Sequence, residues 1–125
     1  MKIIDKLIPI NKYNRPGSKS TPKRICVHYT GQAGTDADRL ALFYSNVATG
    51  RFPNKPNNWT STQYIVGLNG KVIRVVPDNE TAYAASGKNA GTLHIEVCYS
   101  KASGEFETAS MSALRELVQY LMKKY

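Results

Sequence analysis

Long apolar runs are missing from this chain. No stretch approaches the roughly 20 consecutive apolar residues that a membrane-spanning helix needs, so membrane insertion is not expected. Near the N-terminus Ile3, Ile4, Leu7, Ile8 and Ile10 are apolar, but Asp5, Lys6 and Pro9 interrupt them before a signal-peptide core can form. Synthesis in the cytoplasm without a signal peptide is the resulting expectation. Cysteine is scarce: 2 residues, Cys26 and Cys98, are too few for a disulfide scaffold. They read as buried thiols in strands, with one disulfide between them as the alternative. Histidine is equally scarce, at 2 residues, His28 and His94. Acidic residues number only 9 against 17 Lys and Arg, a formal net charge of +8 that favours polyanionic partners. Nucleic acid, anionic lipid and acidic cell-wall polymers all qualify. The basic residues are spread without a dense run, which argues against a nucleic-acid-binding arm. There is no internal repeat and no low-complexity tract. What remains is ordinary globular material, 42% hydrophobic and 21% charged over 125 residues, enough for one domain with a core.

The elements follow from periodicity. Residues 1–22 read as an extended N-terminal arm with one apolar patch, closed by the turn signal Asn14-Arg15-Pro16-Gly17. Lys23 to Tyr29 alternates as a strand. Thr35-Asp36-Ala37-Asp38 has the form of a capping box. Ala37, Leu40, Ala41, Tyr44 and Val47 then recur at helical spacing, predicting a helix that Gly50 stops. The segment 50–60, with two prolines and three asparagines, is expected to be a loop. Trp59 at its end is either a core anchor or a stacking surface for a ligand. Thr62–Val66 and Lys71–Val76 read as a hairpin around Asn69-Gly70. The small residues from Ala82 to Gly91 predict a loop that lets a ligand approach the backbone. Leu93–Tyr99 is the next strand. A final helix from Thr108 carries Met111, Leu114, Val118, Leu121 and Met122 as its expected buried stripe. The order strand, helix, hairpin, strand, helix predicts an α/β fold, a mixed central β-sheet flanked by α-helices.

Two residues stand out within this pattern. His28 ends a strand beside a glycine-broken loop, a place where α/β proteins put reacting groups. Glu96 lies in mid-strand between apolar residues, where an ionised carboxylate is costly unless it is paired or working. His94, Glu96 and Cys98 share one strand face, opposite Leu93, Ile95, Val97 and Tyr99.

Four ordered blocks carry a family likeness: Ile25-Cys26-Val27-His28-Tyr29-Thr30, the hairpin Ser61 to Val72, Val76 to Ala85, and Leu93-His94-Ile95-Glu96-Val97-Cys98-Tyr99-Ser100-Lys101. On these the chain resembles the zinc-dependent N-acetylmuramoyl-L-alanine amidases of phage endolysins and bacterial autolysins, relatives of the peptidoglycan-recognition proteins. The resemblance implies a bacteriolytic peptidoglycan hydrolase that cuts the amide between N-acetylmuramic acid and L-alanine. It implies zinc as cofactor, bacterial peptidoglycan as partner, and action at the cell wall after release by a holin or by lysis. It makes His28 the first zinc ligand and Glu96 the catalytic acid that handles the attacking water. Tyr29, Thr30, Gln63, Tyr83, Lys88 and Asn89 become candidate substrate contacts. In the family the second histidine and the third ligand lie after the last helix. Residues 1–125 are therefore expected to be an amidase-like domain lacking its C-terminal part, with an incomplete zinc site. His94, with Cys26 or Cys98, offers an alternative set of donors around His28. Gln63 and Ala84 stand where many members carry histidine. A non-catalytic module that binds muropeptide in the same groove is the competing expectation.

Overall fold

The structure, a computed structural model, describes residues 1–52 and 59–125. Most of the loop expected at 50–60 lies outside the described residues. Five strands form one mixed sheet: β1 (Ile4–Asp5), β2 (Arg24–Tyr29), β3 (Tyr64–Val66), β4 (Val72–Arg74) and β5 (Thr92–Val97), in the order β1-β4-β3-β5-β2. Only the β3–β4 hairpin is antiparallel; β1–β4, β3–β5 and β2–β5 are parallel. Two helices, α1 (Ala37–Ala48) and α2 (Thr108–Lys124), cover opposite faces. Beneath α1 lie Ile65, Ile73 and Cys98; beneath α2 lie Tyr64, Val66, Leu93, Ile95 and Val97. Period-two alternation assigns these sets, since neighbouring residues of a strand point to opposite sides. The mixed sheet with flanking helices agrees with the α/β expectation.

The N-terminal arm does more than extend along the surface. Ile4 and Asp5 pair with Ile73 and Arg74. Ile8 is fully buried in the core under α1. Asn14 anchors the arm through a 2.9 Å bond from its side-chain amide to the carbonyl of Tyr44. Arg15 grips Glu80 through two bonds of 2.9 Å.

Two local expectations need correction. The cap of α1 is Asp36, not Thr35: its carboxylate accepts from the Ala37 N–H at 2.7 Å and the Leu68 N–H at 2.9 Å. One side chain therefore closes the helix and pins the hairpin turn to it. Asp38, expected to complete the box, instead meets Lys6 and Lys71. Gly67 must lack a side chain here, because a Cβ would stand 2.9 Å from Asp36 Oδ1. The buried stripe of α2 is Ser110, Ala113, Leu114, Leu117 and Leu121, whereas Met111 and Met122 are exposed. Ser110, a polar residue in the stripe, is satisfied by donating to the Gly67 carbonyl at 2.7 Å.

Candidate active site

The site grows from the register of β2 on β5. The parallel pairing sets Cys26 opposite His94 and His28 opposite Glu96. All four side chains therefore emerge on the α1 side of the sheet, two from each strand. His28 Nε2 lies 2.9 Å from His94 Nδ1, with the ring centroids 5.0 Å apart. The donor atoms of Cys26, His28 and His94 all fall within 4.8 Å of one another.

His94 is completely buried and held on every side. β3 begins only at Tyr64, so side chains stand in for its missing ladder bonds. Gln63 Oε1 accepts the His94 N–H at 2.8 Å, and Thr62 Oγ1 donates to the His94 carbonyl at 2.9 Å. The ring is oriented by Asn89, whose Oδ1 is 3.0 Å from His94 Nε2. The same oxygen accepts the N–H groups of Ala84 at 3.2 Å and Ala85 at 2.9 Å, which identifies it as oxygen rather than amide nitrogen. An amide oxygen only accepts, so Nε2 of His94 carries the proton and Nδ1 presents its lone pair to His28. Burial lowers the pKa of His28, and burial together with the His28 charge takes His94 down to about 4. Both rings are neutral near pH 7, the form that ligates metal.

Glu96 occupies the remaining corner. Burial raises its carboxyl to about 7. Its Oε2 is buried and has no hydrogen-bond partner among the described residues. An orphaned buried carboxylate oxygen is expensive, and here it borders a cleft of about 400 Å³ shared with Thr30, Gln32, Arg39 and Tyr44. A second hollow of about 600 Å³ adjoins it through Thr60, with Trp59, Tyr83 and Asn89 in its wall. The donor set suits a metal of the zinc class: one thiol sulfur and two imidazole nitrogens, borderline-soft ligands within 4.8 Å of one another. Cys98 is not part of this group; it is fully buried in the core under α1, where burial, then Asp36 and Glu96, push its thiol up to about 12. Both cysteines are free thiols.

Residues 18–125 match the family model described as N-acetylmuramoyl-L-alanine amidase. The chain belongs to that amidase family. Among curated relatives it is 30% identical to N-acetylmuramoyl-L-alanine amidase XlyA of Bacillus subtilis (strain 168), over all of this chain and 40% of that protein. It is 25% identical to N-acetylmuramoyl-L-alanine amidase CwlL of Bacillus licheniformis, over all of this chain and 37% of that protein. The chain thus spans about 40% of the length of these relatives. Its fold matches the catalytic domain of XlyA with a TM-score of 0.80 at 28% identity, covering 99% of this chain and 77% of that one. A peptidoglycan-recognition protein complex shares the fold alone, with a TM-score of 0.63 at 14% identity.

Within this amidase domain the expected site residues separate. His28, Glu96 and Thr30 meet at one end of the β2–β5 pair, and Tyr83 and Asn89 line the second hollow. Tyr29 belongs by alternation to the opposite face, where its exposed ring rests on Tyr99 with centroids 5.8 Å apart. Gln63, expected at the substrate, is fully buried and both ends of its amide are engaged, by the His94 N–H and the Glu80 carbonyl. Lys88 is exposed and contributes its backbone carbonyl to Thr92 Oγ1 at 2.5 Å. Trp59, open as core or stacking surface, is 41% exposed and meets Tyr13 edge-on at the rim of the second hollow. The role of Asn89 as a brace for His94 was not legible in the sequence, because the two lie five positions apart across the loop–strand junction and only the closed turn brings them together.

Proposed function

We propose that this domain hydrolyses the amide joining the lactyl group of N-acetylmuramic acid to L-alanine in bacterial peptidoglycan, as an endolysin-type enzyme acting at the cell wall. The carrying observation is Glu96: a buried carboxyl with a raised pKa and a free oxygen at the cleft, in register with a histidine. A carboxyl poised near 7 is suited to take a proton from water and return it to the leaving amine. His28 is the residue that would hold zinc, with Cys26 and His94 in reach of the same ion. Bound there, zinc would supply Lewis acidity, polarising the scissile carbonyl and acidifying the attacking water.

The chain's own groups do the rest. Thr30 and Arg39 line the cleft beside Glu96, where the guanidinium can meet a carboxylate of the stem peptide. Tyr83 and Trp59 give the second hollow aromatic edges, which suit the faces of a sugar or an acyl chain. The net charge of +8 steers the domain toward anionic wall polymers.

The experiment is product analysis. Purified walls are incubated with the protein and zinc, then assayed for new α-amino groups of alanine and for new reducing sugar ends. An amidase yields the first without the second. Sedimentation of the protein with walls and no new amine would leave only the muropeptide-binding reading.

A further inference from the structure

We infer that β2 and β5 by themselves supply a complete three-ligand site for a zinc-class cation: Cys26 Sγ, His28 Nε2 and His94 Nδ1, with Asn89 as the positioning residue. The inference deepens the hydrolase reading above, since it names the groups that complete the metal set around His28. The resemblance places the second and third ligands beyond the last helix. Here the same donor types, a second imidazole and a thiol, stand within the sheet itself.

Three observations carry it. The first is mutual distance. The three donors lie within 4.8 Å of one another; a tetrahedral zinc holds its N and S donors about 3.3 to 3.6 Å apart, given Zn–N near 2.0 and Zn–S near 2.3 Å. The second is orientation. The bond from His94 Nε2 to Asn89 Oδ1 leaves Nδ1 unprotonated and aimed at His28 Nε2. Metal-bound histidines characteristically donate their other ring nitrogen in this way. The third is access. His94 is sealed, but Cys26 and His28 are only half-buried, so an ion would have a path in, and three protein ligands would leave the fourth position of a tetrahedral ion to solvent. Closed tetrahedral sites are structural, and sites with three protein ligands are catalytic. Binding would shift the His28 proton from Nε2 to Nδ1, so that the neutral ring ligates through Nε2, and would release the proton of the Cys26 thiol to solvent.

The alternative is a plain hydrogen-bonded imidazole pair. That accounts for His28 and His94 but gives no role to a thiol directly across the ladder from His94. The test uses the full chain without peptidoglycan. Co²⁺ is titrated into the protein and into Cys26→Ser, His94→Gln and Cys98→Ala, with far-UV circular dichroism confirming the fold of each. Zn²⁺ is then used to displace the Co²⁺. One Co²⁺ per chain is expected, with a thiolate-to-cobalt charge-transfer band, in the wild type and in Cys98→Ala. Cys26→Ser should lose the band, and Cys26→Ser and His94→Gln should each bind at least about tenfold more weakly, as even outer-shell changes do. No binding by the wild type, or equal binding by folded Cys26→Ser and His94→Gln, would overturn the site. The two readings fail separately. Metal bound as described with no wall cleavage removes the hydrolase and keeps the site; zinc-dependent cleavage with unaltered binding in both variants removes the site and keeps the hydrolase.

Discussion

Asn89 and His94 are five residues apart in the chain, yet the loop folds back so that Asn89 Oδ1 receives the ring N–H of His94 at 3.0 Å. The same oxygen gathers two backbone N–H groups from Ala84 and Ala85. The loop that forms one wall of the second hollow is thereby tied to the tautomer of a histidine in the sheet. Removing the acceptor should weaken metal binding without removing a ligand. Asn89→Leu is expected to lower Zn²⁺ affinity by about 10- to 100-fold, and Asn89→Asp, which keeps an acceptor, should restore most of it. A competition titration against a chromophoric chelator reads both. Equal affinity in Asn89→Leu would detach the loop from the site.

Glu96→Gln keeps the shape of the side chain and removes its capacity to carry a proton. Wall hydrolysis by this variant should fall by about 10² to 10⁴, the usual worth of a positioned acid–base group. Sedimentation with walls and bound zinc should be unchanged. Retained hydrolysis would remove Glu96 from the chemistry.

The Arg15–Glu80 pair makes a prediction about acid stability. Both side chains are largely buried, and the Arg15 guanidinium, with a smaller contribution from Lys19, holds Glu80 below its ordinary 4.5. A carboxyl whose folded pKa is depressed stabilises the fold above its unfolded pKa, and that stability disappears as pH falls through the folded value. Arg15→Met leaves Glu80 buried without its cation and should cost about 3–5 kcal/mol at pH 7. The difference from wild type should narrow below about pH 4.5 as Glu80 protonates in both proteins. Urea midpoints across pH 3 to 7 would show it; a constant gap would mean that Arg15 acts through packing or its 2.7 Å bond to the Ile8 carbonyl instead.

The corrected face of α2 can be tested with two truncations. Leu117 is fully buried against the sheet, so Leu117→Ala should cost about 2–5 kcal/mol. Met122 is 69% exposed, and Met122→Ala should stay within about 0.5 kcal/mol. Thermal or denaturant unfolding of the pair decides the face. The reverse order of losses would restore the methionine stripe read from spacing.

Sequence alone was enough for the α/β class and for the element order after the N-terminal arm, whose pairing as β1 it did not show, and it singled out His28 and Glu96. Alternation in Ile25-Cys26-Val27-His28 and in Leu93-His94-Ile95-Glu96 already divides each strand into an apolar side and a reactive side, because successive side chains of a strand must point oppositely. The pattern of α1 was equally clear, although its cap moved by one residue once Asp36 proved able to serve the helix and the hairpin turn together. In α2, Leu114 and Leu121 are buried as expected but Met111 and Met122 are not, since a 3.6-residue period fits adjacent stripes nearly as well and a buried serine carried no apolar signal. Tertiary structure decided the rest. Parallel pairing of β2 with β5 is a non-local choice, and a slip of one residue would send His94 and Glu96 to the α2 side. Only that register sets Cys26 against His94 and His28 against Glu96. Only the folded loop makes Asn89 the partner of a ring in the sheet, because long-range contacts are governed by how elements pack and leave no periodic trace along the chain.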